Sequence, residues 1–182
     1  PNNFVGFFNT LRPPLDNPKV RQALSYAIPY EDIIEVGAYG FATQSHGPAP
    51  KGIFPYSEDV PQYEYDLEKA KQLLAEAGVT EGLELELTYS SENPNSTRFA
   101  PLIKDSFAKI GVNVNVKGML WADQWAAARD NPAEAQDMFV VLYWPTYSDA
   151  GVDNLSALFG SWNGTDKPFF NLSYWNSPEY DA

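Results

Sequence analysis

The run Met138-Phe-Val-Val-Leu-Tyr143, closed by Trp144 and Pro145, restricts the fold of this chain more than any other stretch. A continuous apolar run this short, rich in Val and aromatics, suits a strand buried on both faces. Pro145 has no N–H to give to a central ladder, so the strand is expected to stop at Trp144. A polar turn carrying Tyr147, Ser148 and Asp149 follows, and then a helix predicted from Gly151 or Val152 to Phe159. In α/β proteins ligands are held beyond the carboxyl ends of strands, at junctions of this kind. The alternative use of Trp144 and Tyr147 is to close the core over the strand end.

The segments before this strand alternate between helical and extended periods. Asn3 to Asn9 reads as an aromatic strand, and Asn17-Pro18 as a helix start with Pro at the first helical position. Val20, Leu24, Ala27 and Ile28 share one face of that helix, Pro29 ends it, and Glu31 to Ala38 resumes as a second short one. The span 41–65 is irregular and long for a structureless connection, which marks a segment that wraps the surface or lines a site. Asp66 to Gly78 is the clearest helix, with Asp66 as N-cap, a stripe of Leu67, Ala70, Leu73, Leu74 and Ala77, and Gly78 as the stop. Leu83 to Tyr89 alternates Leu and Glu and predicts a strand with one wet face near a sheet edge. After a polar turn at 90–96, Thr97 to Ile110 reads as a helix and Val112 to Val116 as the next strand, a β-α-β run that implies parallel pairing. Trp121 to Arg129 is a short helix. The tail run from Phe169 to Tyr174 is apolar enough to need a surface to pack on.

Charge and composition narrow the function. Twelve basic residues against 24 acidic ones give a net charge of −12, and after Met119 the only cations are Arg129 and Lys167. Without a Lys/Arg cluster there is no footprint for a phosphate backbone, so nucleic acid is not an expected partner. No stretch reaches the ~20 apolar residues that a membrane helix needs, and no membrane insertion of this segment is expected. Zero cysteines exclude disulfides, thiolate metal sites and Cys nucleophiles. The chain opens on Pro1 with no basic-then-apolar leader, so any secretion signal is expected outside it. His46, the only histidine, has no partners at metal-ligand or triad spacing and is read as a loop histidine in ordinary hydrogen bonds. Gly-rich phosphate loops and nucleophile elbows are absent, which leaves the many carboxylates as the only candidates for acid–base chemistry. Neither a catalytic residue, a metal site nor a cofactor is assigned.

Asn9 to Glu31, which contains Arg12-Pro13-Pro14, Asp16-Asn17 and Val20-Arg21-Gln22-Ala23-Leu24, resembles a signature of the peptide-type (family 5) solute-binding proteins of bacterial ABC transporters. Gly47-Pro48-Ala49-Pro50-Lys51-Gly52, the helix Tyr65-Asp66 through Lys69-Ala70-Lys71-Gln72-Leu73-Leu74 to Gly78, Ile110-Gly111-Val112-Asn113-Val114 and Ser177-Pro178-Glu179-Tyr180-Asp181 match further motifs in the same order. Pro29 and Tyr30 depart from the family's pattern at a helix start. The resemblance implies an α/β fold, with residues 1–182 forming one inserted lobe of a two-lobed protein, truncated at both ends. It implies a monomer, periplasmic or extracellular and possibly lipid-anchored, which captures an oligopeptide in a cleft and delivers it to an ABC permease. An oligosaccharide is the alternative solute within the family. A small carboxylate-dependent hydrolase is the alternative from another class.

Site residues carry over in part. The resemblance places a Trp at the start of the short helix, matched by Trp121, and another at the strand end, matched by Trp144 beside Tyr143. Where peptide binders have an Asp that holds the amino terminus of the peptide, this chain has Tyr147, with Asp149 two residues on. Val141 stands where some members have Arg. The candidate ligand-binding set is therefore Trp121, Tyr143, Trp144, Tyr147 and Asp149.

Overall fold

The computed structural model describes residues 2–79, 81–146, 149–164 and 170–181, with the side chains of residues 2 and 141–143 outside the description. Four strands form one mixed sheet: β1 (Asn2–Phe8), β2 (Leu83–Ser90), β3 (Val112–Met119) and β4 (Met138–Pro145), in the order β1-β4-β2-β3. β2 runs parallel to β3 in continuous register from Leu83↔Val112 to Ser90↔Met119, and parallel to β4 from Leu87↔Met138 to Tyr89↔Val140. β1 lies antiparallel on the outer side of β4. The three apolar runs predicted to share one sheet do so.

Alternation along the strands splits the interior into two cores. Leu85, Leu87, Val112, Val114, Met138 and Val140 face one side. They pack there on α1 (Pro18–Tyr26), α3 (Leu67–Glu76) and α4 (Pro94–Ala108), whose Val20, Leu24, Leu73, Leu74, Ile103 and Phe107 are buried. Phe7 and Phe139 face the other side, with Ala128 of α5 (Trp121–Asp130), Leu158 of α6 (Ala157–Phe159), Leu172 and Tyr174. β4 is the wall between them: Met138, Phe139 and Val140 are all buried, as a run without polar residues requires. None of the five tryptophans belongs to the first core. Local signals set the helix ends. The side chains of Asn17 and Asp66 accept the N–H groups of Lys19 at 2.9 Å and Lys69 at 2.8 Å, and Gly78 stops α3 at φ +73°, where a side chain is strained.

One residue, through its carboxylate and its carbonyl, ties three strands together at the amino end of β4. Asp137, with its side chain 8% exposed, accepts the backbone N–H of Glu86 on β2 at 2.7 Å and pairs with Arg12 at 3.2 Å. Its carbonyl accepts the N–H of Asn9, which follows β1, at 2.9 Å.

The structure departs from the sequence-based expectations in three places. Pro145 belongs to β4, opposite Asn2; at the last position of the strand its missing N–H interrupts nothing. α4 starts at Pro94, not Thr97, because Asn93 caps it by accepting the N–H of Asn95 at 2.9 Å and Pro94 takes the first turn. β2 lies next to the edge strand β3, near an edge as its wet face led one to expect. β4 begins only opposite Leu87, so the Leu83–Glu86 half lacks a neighbour on that side, which explains its wet Glu84. Finally, the helix expected up to Ala38 is α2 (Tyr30–Asp32) running into a π-helical turn at Ile33–Gly37, and a second π-turn, Gly151–Ser156, precedes α6.

Candidate functional site

The carboxyl ends of β2, β3 and β4 point the same way because these strands are parallel. The chain leaves β2 towards α4 on the first face, but leaves β3 and β4 towards α5 and α6 on the second. That divergence marks the strand ends as the place where such sheets usually hold a ligand.

Trp121 begins α5 at this edge. Its backbone N–H donates to the Glu92 carboxylate at 2.7 Å, which satisfies one of the amide groups a helix start leaves unpaired. The indole is 41% exposed. It stacks on Trp125 one turn later (centroids 5.4 Å, planes 27° apart) and meets the Phe139 ring edge-on at 6.2 Å. Contacts continue from Trp125 to Phe170 at 5.6 Å and from Phe170 to Trp144 at 4.6 Å. The guanidinium of Arg129 lies 5.4 Å from the Trp125 ring centre, in cation–π range. Trp121 and Trp144 are therefore the two ends of one line of rings, and Trp121 is its exposed end.

Trp144 is half-buried, and its indole N–H donates to the Asp153 carbonyl, pinning the strand end to the π-turn. The same turn is fastened from inside by Thr146, whose hydroxyl lies 2.6 Å from Asn154 Oδ1. Asp149 is exposed, and its Oδ1 accepts the Gly151 N–H at 2.7 Å, as a cap does. Tyr147 lies outside the described residues, as does the side chain of Tyr143. Beneath Trp121, fully buried Gln124 donates to the Thr88 hydroxyl at 3.2 Å, while its Oε1 has no partner.

Sequence reasoning did not single out Trp125 and Phe170. A signal existed for both: Trp125 is four residues after Trp121, the spacing that stacks side chains on a helix, and Phe170 lies in the tail run that needed a surface. His46 sits elsewhere, with Nδ1 2.9 Å from the Val60 carbonyl, an ordinary loop hydrogen bond. Among the described residues no group of three or more His, Cys, Asp or Glu is placed to hold a metal, and no helix is long and apolar enough to cross a membrane.

The arrangement offers aromatic faces and hydrogen-bonding groups near the strand ends, which is the equipment of a binding lobe. Solved structures share the fold. The chain superposes on HbpA2 from Haemophilus parasuis with a TM-score of 0.87 and 34% identity, over 99% of this chain and 35% of that one. It superposes on the periplasmic binding protein DppA from Helicobacter pylori, in complex with the peptide STSA, with a TM-score of 0.83 and 29% identity, over 99% and 34%. The fold is that of the periplasmic binding proteins. Residues 1–166 match the middle region of the bacterial extracellular solute-binding proteins, family 5, and the chain belongs to that family. It is 38% identical to heme-binding protein A of Haemophilus influenzae over 96% of its own length and 31% of the relative's. It is 33% identical to the dipeptide-binding protein of Escherichia coli over 94% and 32%. The chain thus spans about a third of the length of the curated relatives it matches. These relatives are binding proteins, and the alternative of a carboxylate-dependent hydrolase is set aside.

Proposed function

We propose that residues 1–182 are one lobe of a longer, two-lobed solute-binding protein that closes on an oligopeptide and delivers it to an ABC permease. Family membership supports the solute-binding role outside the cytoplasm, in the periplasm or at the cell exterior. The observation that carries the site is the exposed indole of Trp121 at the end of the ring line, where α5 follows the carboxyl end of β3. A peptide supplies what such a face takes up: flat amide planes and apolar side chains, with an ammonium group that a field of excess carboxylates attracts. Trp121 and Trp144 provide the aromatic contacts, with Tyr143 and Tyr147 completing the set.

Replacing Trp121 with Ala in the longer polypeptide is expected to weaken binding of its best tri- or tetrapeptide about 10- to 30-fold by calorimetry, the loss typical of a buried aromatic anchor. Unchanged affinity would place the ligand elsewhere. Asp149 receives a different role. Because its carboxylate already caps Gly151, Asp149→Asn keeps an acceptor there and is expected to change peptide affinity less than about twofold. A tenfold loss, the size of a charge-assisted contact, would instead put this carboxylate on the peptide amino terminus. An oligosaccharide is the second reading, favoured by the open indole face. Titration with neutral oligosaccharides separates the two.

A further inference from the structure

Asn163 alone among the asparagines of the chain precedes a glycine, Gly164. Both residues are exposed. Gly164 stands at φ +80°, a region glycine enters without strain, and a Cβ built on it would meet nothing within 4 Å. The chain just before them is laced down. Ser161 Oγ accepts the Ser177 N–H at 2.7 Å, the Trp162 N–H donates to the Trp175 carbonyl at 3.1 Å, and the Trp162 carbonyl accepts from the Asn176 side chain at 2.9 Å. Asn163 and Gly164 come directly after this lacing.

We infer that Asn163 is a site of spontaneous deamidation in the folded protein. The Gly164 backbone nitrogen attacks Cγ of Asn163 and closes a cyclic imide. The new N–Cγ bond replaces the Cγ–Nδ2 bond, and Nδ2 leaves as ammonia with the proton that the Gly164 amide gives up. Water then opens the imide. Attack on one carbonyl leaves an ordinary aspartate, and attack on the other leaves isoaspartate, in which the main chain runs through the side-chain carbon. Either product adds a negative charge to a chain whose net charge is already −12.

The attack needs an N–H on the following residue, room beside it, and freedom to turn it onto the side chain. Asn17, Asn93 and Asn131 precede prolines, which have no N–H to lose. Asn9, Asn154 and Asn171 are buried. Asn176 is the nearest competitor, exposed and followed by the small Ser177. Its attacking nitrogen would be that of Ser177, whose proton already goes to Ser161 Oγ, and its own amide is held on the Trp162 carbonyl. The fold therefore protects Asn176 and leaves Asn163 open to reaction.

A timed comparison tests this. The native protein and the same protein unfolded in urea are held in mildly alkaline buffer and then digested. Each asparagine peptide is read by mass spectrometry, and isoaspartate is counted by enzymatic methylation. The native Asn163 peptide is expected to react within about threefold of its unfolded rate, whereas the native Asn176 peptide slows by more than about tenfold. A native Asn163 as strongly protected as Asn176 overturns the inference, because the fold then holds Gly164 away from the side chain. Asn163→Gln gives a second reading. Its longer side chain closes a larger, slower-forming ring, so isoaspartate in the native protein should fall to the background of the other asparagines. Isoaspartate undiminished in Asn163→Gln places the reaction elsewhere and overturns the inference as well.

Discussion

Asp137→Ala is expected to lower the unfolding free energy by about 3 kcal/mol, read from urea denaturation with an unchanged slope. The carboxylate serves two partners that lose it together. The Glu86 N–H, in the half of β2 without β4 beside it, is left with no acceptor, and an unpaired buried amide costs about 1–3 kcal/mol. The Arg12 guanidinium adds less than a fully buried pair because its side chain is 37% exposed and water screens it. Asp137→Asn retains an oxygen for the amide and is expected to recover about half of the loss. Equal destabilisation by both variants would show that the charge, not the hydrogen bond, holds the junction.

Phe139→Ala has a larger expected cost, about 3–5 kcal/mol, since the ring is 1% exposed and its removal leaves a cavity. The effect extends to the candidate site. Phe139 meets Trp121 edge-on at 6.2 Å, so its loss removes one of the two aromatic neighbours that hold the exposed indole. Phe139→Leu, which keeps most of the volume, should cost about 1–1.5 kcal/mol. A Phe139→Ala protein of near wild-type stability by the same denaturation would mean that the second core closes over the gap.

The sheet was legible because its strands carry their burial in their patterns. Met138 to Val140 lacks polar residues and is covered on both faces, and Val112 to Val116 alternates with an exposed side. The capping of α1 and α3 was legible from Asn17-Pro18 and Asp66. The same Asn-Pro signal at Asn93-Pro94 marks the start of α4, but the polar residues around it resemble a turn as closely as a first helical turn. The wet face of β2 placed it near an edge, and it does lie beside the edge strand β3. How much of it β4 covers depends on where β4 begins, and a strand's own residues do not encode its neighbour's length. The site was half legible. Trp121 and Trp144 announce themselves by position, whereas the line that joins them needs Phe170, brought 26 residues along the chain from Trp144 by tertiary packing.

The confinement of every indole to one side of the sheet makes the molecule its own optical probe. Tryptophan emission reports on the second core, the tail and the start of α5, and it is blind to the helices of the first core. Far-ultraviolet dichroism sees the whole backbone. Where the two signals part during denaturation, one half of the lobe has loosened before the other. A solute settling on Trp121 would shift the emission directly, so the candidate site can be read without attaching any label.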